Sequence, residues 1–256
     1  MTEEDRFDLA VLGSGPGGYI AAIHAAQMGK RVALIEKDVV GGTCLNRGCI
    51  PTKALLAGGI VLQKVKHSAD FGISVGQVSF DFAKMKERKD HVVEKIVRGL
   101  SGLLQGNKIT LIKGTGKFIS PNEIKITGAD SRVITADKII IATGSEPLEL
   151  PGIPFEPERI LNSTSILELK ALPKTLAIIG GGYIGCEFAS LYNELGVKVI
   201  ILEALPSIVS MQGKHVSEAL TRAFKQKGID IRLEVFVEGI DKKEGGLEVR
   251  LRGGET

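Results

Sequence analysis

Apolar residues concentrate in two blocks built to one plan. Residues 7–36, FDLAVLGSGPGGYIAAIHAAQMGKRVALIE, give an apolar run, a glycine-rich turn, an alanine-rich stretch, a glycine, and a second apolar run that ends on an acid. Continuous apolar runs bounded by glycines predict strands buried on both faces, and the stretch between them predicts a helix, so the block reads as βαβ. Residues 175–203, TLAIIGGGYIGCEFASLYNELGVKVIILE, repeat it: Gly13 to Glu36 and Gly180 to Glu203 both span 23 positions, and Gly29 and Gly196 each fall 16 after the first glycine.

Between the blocks, residues 50–66 predict a helix. Residues 80–104 predict an amphipathic one, with Phe82, Met85, Val92, Val93, Ile96, Leu100, Leu103 and Leu104 at near-helical spacing. Its opposite face carries Lys84, Lys86, Arg88 and Lys89 and reads as solvated, since no aromatic residues interleave it. From Lys108 to Gly144 the period shortens to the β-rich runs KITLIKGTGKF, EIKITG and RVITADKIIIATGSEP, a small meander leading into a buried strand over 138–142. Pro147, Pro151, Pro154 and Pro157 mark a linker. The expected division is therefore 1–150 and 151–256. A helix near 214–227, a strand IDIRLEVFV and a hairpin strand LEVRLR follow the second block. The fold class is α/β: two Rossmann-like, three-layer nucleotide-binding domains with a small β-meander, the second domain incomplete.

Composition removes several function classes. With 43% hydrophobic and 25% charged residues in 256, the chain is globular and can bury a sizeable core. A net charge of +3 from 33 basic and 30 acidic residues, mixed along the chain, gives no footprint for nucleic acid. No apolar run reaches the roughly 18 residues of a membrane span, and the start MTEEDRFDL lacks a secretory or transit signal. The expected compartment is the cytoplasm. There, three cysteines are not a disulfide scaffold.

The 32 glycines find a reason in the turns. Gly13, Gly15 and Gly18, and again Gly180, Gly182 and Gly185, form G-x-G-x-x-G between strand and helix. The first makes the tight turn, the second lets backbone approach a pyrophosphate, and the third permits close helix packing. The helix N-terminus stabilises phosphate charge. Glu36 and Glu203, at the strand ends, would accept hydrogen bonds from an adenosine ribose. One such turn is weak evidence, but two in register with their acids predict two dinucleotides. No arginine follows Glu203 to grip a 2'-phosphate, which favours NAD over NADP at the second site.

GGTCLNRGCIPTKALL, residues 41–56, holds Cys44 and Cys49. Zinc needs about four ligands, and only His67 offers another nearby, which argues against a metal clip. The glycines and polar residues argue against an inert, buried pair. Redox use requires Cα atoms within about 4.4–6.8 Å. In an undistorted helix, positions i and i+5 are about 140° apart and ~7.5 Å along the axis, so an irregularity is needed, and Gly48 supplies the freedom. Pro51 suits the first turn of a helix, whose dipole would stabilise a Cys49 thiolate. Nicotinamide accepts hydride rather than a thiol electron pair; a flavin between dithiol and nicotinamide bridges the two.

The segments GSGPGGYIAAIHAAQ, GGTCLNRGCIPTKALL, IIIATGSEP and IIGGGYIGCEFASLYNELGVKVIILE resemble the pyridine nucleotide:disulfide oxidoreductases, and within them the branch that reoxidises dihydrolipoamide with NAD. The resemblance implies an FAD domain over 1–150, without its C-terminal return segment, and a truncated NAD domain over 151–256. It implies Cys44 as the thiol that exchanges with substrate, Cys49 as the thiol facing the flavin, and Lys53 beside the flavin ring, paired with Glu187. Lys37, Gly42, Thr43, Gly116, Ala142, Thr143 and Gly144 would border FAD. Tyr183, Ile184, Glu203 and Val237 would border NAD, with Tyr183 gating the nicotinamide pocket. Cys186 is expected to be a small core residue. The implied partners are dihydrolipoamide on a lipoyl domain of a 2-oxoacid dehydrogenase acyltransferase and, for the full-length protein, a second copy of itself. The family's His–Glu base and Gly-Asp flavin motif have no counterpart, and His24, His67, His91 and His215 fit neither, so the chain alone is expected to show at most residual turnover. Mercuric and glutathione reductases share the dithiol layout, and a non-catalytic nucleotide-binding fragment is the alternative outside enzymes.

Overall fold

The computed structural model describes residues 5–253, which form two compact units: residues 5–51 with 90–146, and residues 52–89 with 147–253. In the first, β1 (Arg6–Leu12), α1 (Pro16–Gln27) and β2 (Val32–Glu36) make the first βαβ. A short helix, α2 (Gly42–Arg47), and the first turn of α3 (Cys49–Lys66) follow. The end of α4 (Phe82–Gly106), then β3 (Thr110–Lys113), β4 (Thr115–Ser120), β5 (Glu123–Thr127) and β6 (Arg132–Ile141) complete the unit. The strands form one sheet in the order β3-β2-β1-β6-β5-β4, parallel from β3 to β6 and antiparallel from β6 to β4. Because Leu12 pairs with Ile35, the glycine turn leaves the sheet beside Glu36.

Alternation along these strands sorts the core into layers. Val11, Val32 and Leu34 pack with Ala22, Leu100 and Leu104 of α1 and α4. Phe7, Ala10, Leu12, Ala33, Ile35 and Ile112 pack with Ile124, Ile126 and Ile134 of the antiparallel part. Helices, parallel sheet and meander thus make three layers.

In the second unit, β7 (Thr175–Ile179), α5 (Tyr183–Glu194) and β8 (Lys198–Leu202) repeat the βαβ, and α6 (Lys214–Gln226) and β9 (Asp230–Arg232) extend a parallel sheet β7-β8-β9. Leu55 and Leu62 of α3 join Phe188, Leu191, Tyr192, Ile201 and Phe224 in its core. The buried Tyr192 hydroxyl donates to the Ile166 carbonyl at 3.0 Å, and burial pushes its pKa up. On the other face, Thr175, Ala177, Ile200 and Leu202 and the hairpin of β10 (Val237–Lys243) and β11 (Gly246–Leu251) border a cavity of about 520 Å³. No described helix is long and apolar enough to cross a membrane.

Five expectations change. Thr52–Lys89 groups with the second unit, so the contacts divide the chain inside α3 and α4 as well as at Glu146/Pro147, rather than once at 150. IDIRLEVFV is not one strand: Glu234 takes φ +58, and the amides of Glu234 and Val235 donate to Leu205 and Glu203 carbonyls, so the segment leaves the sheet for the loop after β8. The 138–142 stretch is not buried; Ile141 is 66% exposed, because β6 pairs with β5 only over Arg132–Thr135 and, among the described residues, with β1 alone beyond it. Ile96 and Leu103 of α4 lie at its exposed side. Finally, the basic face of α4 is only partly solvated: Lys89 is 2% exposed, its ammonium 3.1 Å from Glu168, with Lys86 3.8 Å from the same carboxylate. An acid from a separate turn satisfies charges that look unpaired within their own helix.

Candidate functional site

The two glycine turns show which glycines the fold itself needs. A Cβ on Gly18 would sit 1.8 Å from the Gly13 carbonyl oxygen, and one on Gly185 would sit 2.2 Å from that of Gly180. These third glycines let the helix start press against the turn. Gly15 and Gly182 differ: both have ordinary φ values, −68° and −70°, and a Cβ there would meet nothing within 4 Å. Nothing in the protein demands glycine at either position. The space beside them suits a ligand that must touch backbone, as a pyrophosphate does. Each of these glycines caps its helix without a side-chain bond, and neither helix has an acid in its first turn to oppose an anion.

The two strand-end acids are held alike. Glu36 Oε2 accepts the Ser14 amide at 2.8 Å while Oε1 accepts the Asp38 amide at 2.8 Å. Glu203 Oε2 accepts the Gly181 amide at 2.5 Å while Oε1 accepts the Leu205 amide at 2.8 Å. Each carboxylate is thereby aimed by backbone, with lone pairs remaining for a ribose. The turn carbonyls are also matched: Ser14 O accepts the Gly41 amide at 3.1 Å and Gly181 O accepts the Val209 amide at 2.7 Å. Both donors adopt the left-handed conformation, and Val209 holds it at φ +42 despite its branched side chain. The sequence reading passed over Ser14 and Val209. Comparing the two motifs position by position, where Ser14 faces Gly181, is the signal that would have raised the first.

Around the first turn, Ala142 N–H donates to Leu12 O at 2.8 Å, and a Cβ on Gly13 would lie 2.2 Å from Ala142 O, so the Ala142–Gly144 segment runs directly beside the turn. Gly42 is equally close, since a Cβ there would be 2.8 Å from Gly15 Cα. Thr43 is exposed in α2, and Lys37 lies 3.9 Å from Glu146. Gly116 has a packing reason: its Cβ would meet Leu12 Cδ2 at 2.6 Å.

Cys44 lies in α2 and Cys49 opens α3, and Gly48 between them breaks the helix at φ −139, ψ −111. That is the irregularity the spacing required. A Cβ on Gly48 would approach Thr43 O to 3.0 Å and Cys44 Cα to 3.3 Å, so the break folds back on the Cys44 turn. Cys44 is half-buried and Cys49 exposed, both as thiols. Cys49, as first residue of α3, sits where the helix dipole favours a thiolate. Cys186, in contrast, is 4% exposed, and burial with the nearby Glu203 charge pushes its thiol up to about 11.

One turn beyond Cys49, α3 carries Lys53. Its ammonium donates to both Glu187 carboxylate oxygens, at 2.5 and 2.7 Å. Farther along, Gln63 donates to Glu194 O at 2.6 Å, fixing α3 against α5. On α5, Tyr183 and Ile184 are 64% and 43% exposed, so Tyr183 is no packed core ring. Val237 opens β10, partly buried. Lys214, the one cation after Glu203 able to mimic an NADP site, is solvated and 3.8 Å from Glu218. Among the described residues, no group of three His, Cys, Asp or Glu could hold a metal ion.

Residues 7–256 match the family described as pyridine nucleotide-disulphide oxidoreductase. The chain is 51% identical over 249 residues to a dihydrolipoyl dehydrogenase of Chlamydia pneumoniae, with 97% of this chain and 53% of that protein covered. It is 43% identical to one from Geobacillus stearothermophilus, covering 96% and 53%. Among solved structures, LpdA from Mycobacterium tuberculosis superposes with a TM-score of 0.89 at 25% identity, over 98% of this chain and 56% of that one. RclA from Escherichia coli, an HOCl-induced flavoprotein disulfide reductase, superposes with a TM-score of 0.80 at 32% identity, over 96% and 53%. The chain spans about half the length of these relatives.

Proposed function

The chain belongs to the pyridine nucleotide-disulphide oxidoreductase family, and from that premise we propose that it supplies the FAD site, the dithiol and the NAD site of a dihydrolipoamide-oxidising dehydrogenase. The observation that carries the reading is the pairing of a broken-helix dithiol with a backbone-lined turn whose middle glycine the fold does not need. FAD held at the first turn would relay an electron pair between dithiol and nicotinamide.

The protein's own residues have the following parts. In the disulfide form, Cys44 is attacked by a dihydrolipoamide thiolate, Cys49 leaves as thiolate, and the second substrate thiol displaces Cys44 to release cyclic lipoamide. Cys49, at the start of α3, is the better leaving group because the helix dipole stabilises its anion. Glu187 orients Lys53 through two charge-assisted bonds. Glu36 and Glu203 take the two adenosine riboses, and Tyr183, exposed on α5, gates the nicotinamide. Lys37, Gly42, Thr43, Gly116 and Ala142–Gly144 line the first site, Ile184 and Val237 the second. The full-length protein would pair with a second copy and meet its substrate on a lipoyl domain. This chain alone would turn over slowly, since the histidine base is not among its assigned residues.

Mixed-disulfide trapping tests the thiol assignment without any cofactor. Cys49→Ser incubated with lipoamide should accumulate a lipoamide adduct at Cys44, read by peptide mass, whereas Cys44→Ser should form little. An adduct predominantly on Cys49 in Cys44→Ser would reverse the roles.

A further inference from the structure

We propose that Ser14 is a positioning residue that relays occupancy of the first nucleotide site to the helix bearing Cys44. The proposal rests on the reading of Gly13–Gly18 as a nucleotide turn.

Ser14 is fully buried. Its hydroxyl donates to Glu36 Oε2 at 2.7 Å and accepts the Gly41 amide at 3.2 Å. Gly41 is the N-cap of α2, and Cys44 lies in that helix. One hydroxyl therefore joins the carboxylate that would hold the ribose to the residue that starts the dithiol helix. The contact is reinforced next door, where Gly42 lies so close to Gly15 that a Cβ would be 2.8 Å from its Cα. A ligand pulling on Glu36 acts on Gly41 through two hydrogen bonds, all within the first unit.

The second unit supplies an internal comparison. It keeps the acid clamp and the backbone bond from turn carbonyl to following loop, but has Gly181 in place of Ser14 and therefore no hydroxyl between carboxylate and loop. No cysteine stands in the loop after Glu203. Space does not favour serine there either: a Cβ on Gly181 would meet Ile208 Cγ2 at 2.7 Å. The hydroxyl relay is present where a dithiol follows and absent where none does.

Binding at the turn should reduce fraying of α2, and with it the alkylation of the half-buried Cys44 thiol, which tracks the locally opened population. The probe is ADP, which fills a dinucleotide turn without a flavin ring. The reduced 256-residue chain is treated with iodoacetamide, with and without saturating ADP. Modification at Cys44 is followed by peptide mass, and ADP affinity is measured by calorimetry. In the wild type, ADP should slow Cys44 alkylation by about fivefold or more. Ser14→Ala removes only the hydroxyl, and Ser14→Gly copies the second unit. Both should still bind ADP while the protection falls towards none. A merely structural serine would lower the melting temperature of both variants yet leave the ADP-dependent protection in place. Equal protection in all three proteins, as direct shielding would give, or none in the wild type despite ADP binding, overturns the relay. Failure of the wild type to bind ADP would instead sink the nucleotide reading and the relay with it.

Discussion

At the scale of single residues, the three cysteines divide by environment. Cys49 is exposed at a helix start, Cys44 is half-buried behind the Gly48 break, and Cys186 is packed in a core with its pKa pushed up to about 11 by burial and by Glu203. A thiol with a folded pKa above its unfolded value near 9 favours the native state while protonated, so its contribution is complete below pH 9. That contribution is lost as pH rises from about 9 to 11, on the order of 2 kcal/mol in all. Chemical denaturation across that window should show stability falling more steeply for the wild type than for Cys186→Ala. Parallel curves would mean Cys186 is not held protonated by the fold. The assignment of Cys186 as a core residue was legible from its place among apolar positions of α5. The Ser14 bridge was not, because a serine within a glycine turn carries no pattern until Gly41, 27 positions later, is brought against it.

At the scale of elements, the turns separate two uses of glycine that sequence spacing treats as one. Gly18→Ala pushes a methyl into a backbone carbonyl and should cost about 1–3 kcal/mol or more of stability. Gly15→Ala enters open space at an ordinary φ and should change stability by less than about 1 kcal/mol, the scale of a helix cap. It should nevertheless weaken FAD binding strongly. Thermal melts with flavin titration read both; a Gly15→Ala protein that binds FAD normally would show that the open space is not a phosphate site. The βαβ units, α4 and α6 were legible because their signals are local: apolar period, glycine stops and strand-end acids. What escaped depended on distant partners. Lys89 looked solvated until Glu168 met it, the end of β6 looked buried until its neighbours were known, and IDIRLEVFV looked continuous until the loop after β8 claimed its middle.

At the scale of the whole molecule, a duplicated βαβ unit was specialised in two directions. The first copy gained Ser14 and a following dithiol; the second kept Gly181 and a following loop. The family and the two nucleotide units were readable because both copies repeat the same spacing. The grouping of Thr52–Lys89 with the second unit was not, since it is decided by packing of α3 on α5 rather than by composition. The central claim, a Cys44/Cys49 centre working against a flavin in the first unit, is tested most directly by the visible spectrum of the FAD-loaded chain as dihydrolipoamide is added. A broad absorbance at wavelengths beyond the oxidised flavin bands should appear in the wild type and be absent in Cys49→Ser; a wild-type spectrum without it, or an undiminished band in Cys49→Ser, would contradict the account.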